Sequence, residues 1–358
     1  MKIGILTVHR AINIGAILQT YATQEILRSL GYDAYVIDYV QEKVERVDRE
    51  KYDWRKWVKF VLGGHFRGAL YFSMVKNNVV RKRKIFDDFL AQKLRLTPPC
   101  TKDNIPEDFD AYVVGSDQLW NSNIFEGRNE DVFWGNFKRE TGTRLMAYAC
   151  STTPENLAIT NSKFIQQSLR NFDFVSLREG DSTQYINQHF KLKKPAEWVL
   201  DPTLVVDNKV WKNMCTGKFA NEKYVLYYAA RPYIPAPELM REKTEVLANQ
   251  MGCKVKTLNM ETASDYVDLI SHAQCVVSSS FHGIVFSLIF NRPLIAVKYG
   301  DNQDKRYVSL LHQLGGEKML VNINEDFKFI ESDYDLVNHN LETWREKSIA
   351  FISQLSMV

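Results

Sequence analysis

The first forty residues constrain the fold more than any other stretch. Lys2-Ile-Gly-Ile-Leu-Thr-Val8 is a compact apolar run, and the loop His9–Gly15 follows it. An amphipathic segment then runs from about Ala16 to Leu30, ended by Gly31, and a second apolar run spans Asp33–Tyr39. Strand, loop, helix and strand in this order make a βαβ unit, so a parallel sheet is expected.

The rhythm recurs. Ala111–Gly115, Leu145–Ala149 and Phe174–Leu177 read as strands, with helical stretches near 155–170 and 179–190. A second series follows Asp201-Pro202-Thr203. It comprises a strand at Tyr224–Ala229, a helix from Pro237 to Met251 closed by Gly252, a strand at Lys254–Leu258 and a helix at Ser264–Ser271. A chain of 358 residues is too long for one ordinary core. The expected division is an N-terminal α/β domain over 1–207 with a helical insertion at about 51–93, a C-terminal α/β domain over 208–338, and a last helix, 339–358, packing back on the first domain.

The segment Cys275–Phe290 carries the strongest functional signal. Cys275–Val277 reads as a buried strand and Gly283–Phe290 as an apolar helix, with Ser278, Ser279, Ser280 and His282 at the turn. The start of a helix presents unpaired N–H groups and the positive end of its dipole, which favours anions and phosphate above all. A histidine there can titrate near neutral pH and donate a proton. Ligands of open α/β sheets collect beyond the carboxyl ends of strands, where His282 falls.

Other polar groups follow strands in the same way. Asn13 and Gly15 lie between the first strand and first helix, where a glycine permits close backbone approach. Asp117, Gln118, Trp120 and Asn121 follow the strand at 111–115; they could bind sugar hydroxyls, with Trp120 stacking on the ring, or Asp117 could cap a helix. Arg178 stands just past another strand end, able to grip a carboxylate or phosphate or to pair with Glu179 or Asp181. Arg231 is a weaker candidate of the same kind. Asp108-Phe-Asp110 matches a metal-binding pattern by letter only and reads as loop. No Rossmann G-x-G-x-x-G and no Walker P-loop is present.

Bulk properties exclude several classes. The net charge of +3 demands no nucleic-acid partner, and five scattered cysteines without C-x-x-C spacing suggest neither zinc nor disulfides. The run Ile3–Val8 is too short for a membrane span or signal-peptide core, so a cytoplasmic location is expected. One region departs from the α/β rhythm. Lys51–Lys84 holds ten Lys or Arg, a single acid and seven aromatics, ending in Arg81-Lys-Arg-Lys84. It reads as a packed helical insertion with a solvated basic face, or as a peripheral contact with the inner face of an anionic membrane.

Taken in order, Asn13-Ile-Gly15, Gly115-Ser-Asp-Gln-Leu-Trp-Asn121, Val175-Ser-Leu-Arg-Glu179, Asp201-Pro-Thr203 and Ser279-Ser-Phe-His-Gly283 resemble motifs of the polysaccharide pyruvyl transferase family. The resemblance implies an α/β, GT-B-like fold, with two Rossmann-like doubly wound parallel-sheet domains facing a cleft. It also implies transfer of a pyruvyl group from phosphoenolpyruvate, as co-substrate, onto a glycan or lipid-linked sugar as a ketal, with no cofactor and no metal. His282 then matches the general acid and Arg178 the residue holding the donor. Ser278, Ser279, Ser280, Gly283 and one of Lys298 or Arg306 form the donor site. Asn13, Gly15, Asp117, Gln118, Trp120 and Asn121 are left for the acceptor. Many members carry an arginine where this chain has Ser280. A GT-B glycosyltransferase using a nucleotide sugar, or an idle glycan-binding protein of the same fold, are the alternatives.

Overall fold

The computed structural model describes residues 1–41, 66–125, 130–229, 237–329 and 334–356, with the backbone alone for 66–79 and 124–125. Residues 51–65 of the basic aromatic stretch, and Arg231, lie outside what is described. The first sheet contains β1 (Lys2–Leu6), β2 (Asp33–Val36), β3 (Ala111–Asp117), β4 (Arg144–Cys150), β5 (Phe174–Leu177) and β6 (Glu197–Trp198). The second contains β7 (Tyr224–Tyr228), β8 (Lys254–Thr257), β9 (Cys275–Ser278), β10 (Leu294–Lys298) and β11 (Leu320–Asn322). Every pairing is parallel, in the orders β2-β1-β3-β4-β5-β6 and β11-β10-β9-β7-β8.

The helices are α1 (Ile14–Ser29), α2 (Phe66–Lys93), α3 (Pro154–Ile159), α4 (Ser162–Leu169), α5 (Gly180–His189), α6 (Pro202–Val205) and α7 (Asn208–Lys212) in the first half of the chain. They continue as α8 (Pro237–Gln250), α9 (Ala263–His272), α10 (Phe281–Ile289), α11 (Lys305–Leu314) and α12 (Tyr334–Ser353). The stretch read as one helix near 155–170 is broken into α3 and α4, because Asn161 caps a new start through the N–H groups of Lys163 and Phe164.

Successive strand residues enter different cores. Ala111 and Val113 face one core of the first sheet, Tyr112 and Val114 the other. In the second sheet Leu226 and Val276 point one way, Val225 and Val277 the other. Both faces of each sheet are therefore covered, which explains strands that are apolar throughout rather than alternating. This is the two-domain, GT-B-like architecture expected above. One core is common to the two halves: Tyr21 of α1 packs edge-on to Trp211 of α7, which packs edge-on to Phe286 of α10 at a centroid distance of 4.9 Å. Such pairs contribute about 0.5–1.5 kcal/mol beyond their burial. The last helix, α12, crosses back. Trp344 packs on Trp198, Ser348 Oγ accepts from the N–H of Leu200, and Arg345 Nε donates to the carbonyl of Leu204. Among the described residues, no helix is long and apolar enough to cross a membrane.

Strand order decides where the ligand site lies. In the first sheet the chain reverses direction across the sheet between β1 and β3, in the second between β7 and β9. At such a switch point adjacent loops leave in opposite directions and open a crevice. The two crevices face each other.

Candidate active site

Between them is a cleft of about 700 Å³. Asn13, Gly15, Lys82, Asp117 and Gln118 line it from the first half. Tyr228, Ser279, Ser280, His282 and Arg306 line it from the second. A groove of comparable size, about 770 Å³, lies at the start of β4 and β5. That is the amino end of the strands, it holds none of the motif residues, and its Lys138 and Lys193 pair with Glu107 and Asp173. The switch-point cleft is the better candidate on topology and chemistry.

His282 is the second residue of α10, with its side chain 11% exposed. Its Nε2 is buried, has no hydrogen-bond partner among the described residues, and lies 3.9 Å from Asp201 Oδ2. The other edge of the ring rests on α1 of the opposite half. A Cβ at Gly15 would fall 2.0 Å from Nδ1, so only glycine lets the two halves close on this ring. Burial pushes the imidazole below the ordinary histidine value; Asp201 pulls it back up, and Arg178 adds to the depression.

The serine turn divides its labour. Ser278 Oγ donates to the carbonyl of Tyr228 and accepts from the N–H of Ser280. Ser280 caps α10, its Oγ accepting from the N–H of Gly283. Ser279 Oγ is buried and has no hydrogen-bond partner among the described residues, and Ser279 lines the cleft. Ser278 and Gly283 support the turn from behind and are not among the lining residues. Arg306 lines the cleft, whereas Lys298 does not, because β10 stands one strand beyond the β7–β9 switch point.

Arg178 occupies a different place from the one its position in the sequence suggests. Its side chain is 1% exposed and lines neither this cleft nor the cavity that adjoins it. Nη1 donates to Asp201 Oδ2 at 2.6 Å, Nη2 to Asp117 Oδ1 at 3.4 Å and Nε to Glu179 Oε1 at 3.4 Å. Its guanidinium lies over the Phe281 ring at 4.4 Å. With every nitrogen engaged by a carboxylate, it has no fork left for a donor. Burial alone would raise the Asp201 carboxyl, but Arg178, His282 and Thr203 together hold it below its ordinary value. Glu179 moves the other way: burial raises it more than Arg178 and Ser151 lower it.

Trp120 also requires correction. It is fully buried, stacked on Trp134 at 4.6 Å, with its indole N–H donating to the carbonyl of Phe133. It cannot stack on a sugar; it packs the floor beneath the loop. Asp117 ends β3 with φ at 81° and accepts from the N–H of Gln118, so it caps its own loop while lining the cleft. Asn121 faces an adjoining cavity of about 450 Å³, which shares Gln118, Gln303 and Arg306 with the cleft. Asp108 and Asp110 hold the start of β1 through the Lys2 side chain and backbone N–H.

Several site residues were not singled out from sequence. Asp201 belonged to a quoted motif without a role. Lys82 sat in the basic stretch read as a packed insertion with a solvated face or as a membrane contact, yet α2 brings it to the cleft beside Phe86. Tyr228 and Gln303 lacked any local signal. Gln19 is another: its amide donates to Thr7 Oγ1 and accepts from the N–H of Ser116, pinning the ends of β1 and β3.

The family described as polysaccharide pyruvyl transferase matches residues 13–302. No curated protein matches the sequence. Among solved structures, the chain resembles a UDP-GlcNAc 2-epimerase from Neisseria meningitidis bound to UDP-GlcNAc, with 10% identity, 100% of this chain and 95% of that one covered, and a TM-score of 0.47. It also resembles Anabaena Alr3699/HepE in complex with UDP and glucose (11% identity, 99% and 95% covered, TM-score 0.49) and E. coli heptosyltransferase WaaC with ADP (14%, 97% and 100%, 0.38). These likenesses concern overall architecture alone.

Proposed function

Because the chain belongs to the polysaccharide pyruvyl transferase family, we propose that it moves a pyruvyl group from phosphoenolpyruvate to two hydroxyls of a sugar, forming a ketal. The observation that carries this reading is the His282 ring. It stands at the positive end of α10 and opens on a cleft that also receives Ser279 Oγ and Arg306. A small trianionic enol ester suits that combination: helix N–H groups and Arg306 for the anions, an imidazole for the methylene carbon.

In this account both hydroxyl oxygens bond to C2 of the donor and the C2–O bond to phosphate breaks. One hydroxyl proton ends on the methylene, making it methyl, and the other leaves with phosphate. His282 delivers the first. Burial holds the ring's proton affinity below the ordinary histidine value; the donor's negative charge raises it, so the ring gains its proton as the donor binds. Asp201, 3.9 Å from Nε2, is a positioning residue that favours the charged ring, and Arg178 holds Asp201 in place. With Ser280 serving as a helix cap, Arg306 and Lys82, which line the cleft, meet the donor's charge. A peripheral contact of the 51–84 stretch with an anionic membrane surface on the cytoplasmic side belongs to the same proposal.

A thermal-shift comparison tests donor identity. Phosphoenolpyruvate at about a hundred times its Kd stabilises the native state by about 2.7 kcal/mol, which raises Tm by several degrees. UDP and UDP-sugars give no shift if the reading holds. The reverse pattern would replace it with a nucleotide-sugar glycosyltransferase.

A further inference from the structure

The cavity beside the cleft has its own chemistry. Six of its lining side chains are carboxamides, among them Asn121, Asn123, Asn302 and Gln303, and three are hydroxyls, Ser151 to Thr153. A carboxamide sets an acceptor and a donor side by side, which matches the two roles a pair of sugar hydroxyls offers. Charge is scarce there. The acid in the wall, Glu155, is paired with Lys305 of the opposite half, and Arg306 stands at the border with the cleft. Among the described residues no aromatic lines the cavity, since Trp120 lies beneath it.

The inner wall is rigid. Asn156 donates to the carbonyl of Trp120 at 2.8 Å and to Thr152 Oγ1 at 3.0 Å, and accepts from Ser122 at 2.8 Å. The outer wall, at Asn302 and Gln303, is an exposed loop. A volume of about 450 Å³ falls within the ordinary range for small-ligand sites.

We propose that this cavity is the acceptor subsite and that it takes an uncharged hexose unit, held edge-on by its hydroxyls rather than stacked on an aromatic face. The inference rests on the donor reading of the adjoining cleft, because Gln118 and Arg306 are shared and bring the bound hydroxyls to the donor's side. It moves acceptor recognition away from Asn13 and Gly15, which line the cleft alone.

Saturation-transfer NMR on the full chain with methyl β-galactoside, methyl α-glucoside, methyl α-mannoside and methyl glucuronide tests it. At least one neutral hexoside gives a signal with the native chain, and methyl glucuronide binds at least about tenfold more weakly. Asn302→Trp, placed on the exposed loop, fills the cavity and abolishes the signal. The milder pair Asn123→Ala with Asn302→Ala weakens binding about tenfold. The Tm rise given by phosphoenolpyruvate persists in both variants. No signal from any neutral hexoside, unchanged binding in Asn302→Trp, or equal binding of the glucuronide overturns the assignment. If phosphoenolpyruvate shifts neither native chain nor variant while Asn302→Trp still abolishes hexoside binding, the donor reading fails and the cavity keeps its ligand.

Discussion

Two residues from opposite halves, Gly15 and His282, meet where the halves close on each other. A methyl group on Gly15 would overlap the imidazole, although alanine is a better helix former than glycine by about 1 kcal/mol. Gly15→Ala should therefore lower kcat/KM at least about tenfold by displacing the ring, while Tm stays within a few degrees. A variant with native kinetics would show that the ring need not sit where it does. The pH profile is equally direct. The free enzyme's His282 titrates below the ordinary value of about 6.5, and a general acid works only when protonated. So kcat/KM should fall as pH rises through that depressed value, and the kcat limb should lie at higher pH because bound donor holds the proton. A kcat/KM that rises across the same window would make His282 a base instead. The sequence revealed the histidine and its helix, but not the glycine contact, because residues 15 and 282 meet only through the packing of two sheets.

At the scale of elements, the site is a junction of strand ends, and Arg178 ties them. Its guanidinium joins the end of β3 through Asp117, the start of α6 through Asp201 and its own neighbour Glu179. Removing one partner of a buried charge cluster leaves the others uncompensated, at a cost of about 3–5 kcal/mol. Arg178→Ala should therefore unfold at distinctly lower denaturant concentration, as well as lose activity. A variant of native stability with only a raised KM for phosphoenolpyruvate would restore the donor-gripping role. The parallel strands and most helices were legible from apolar runs bounded by Gly and Pro. The two shortest, β6 and β11, were not, since two or three residues leave no pattern. Arg178 and Trp120 were assigned to the ligand, whereas both side chains are buried, because sequence position after a strand does not reveal burial depth. Three carboxylates converging from residues 117, 179 and 201 could not be foreseen from spacing.

For the whole molecule, two doubly wound halves share one core through Tyr21, Trp211 and Phe286, and are joined by the Lys305–Glu155 ion pair in the wall of the adjoining cavity. That arrangement sets the cleft, with His282 and Arg306, against an amide-lined cavity; in the proposed function the first takes the donor and the second the acceptor. The likeness to the family's ordered motifs made the architecture readable; Lys82 escaped because α2 is an insertion with no place in that order. The central claim is that His282 protonates an enol ester in this cleft. Its most direct measurement is phosphate release from phosphoenolpyruvate with a panel of glycans, followed beside ketal formation by NMR, for the native chain and His282→Ala. The account predicts one phosphate per ketal with the native chain, dependent on glycan, and a rate about 100- to 10,000-fold lower in the variant with its fold retained. Equal turnover by the two chains would contradict it.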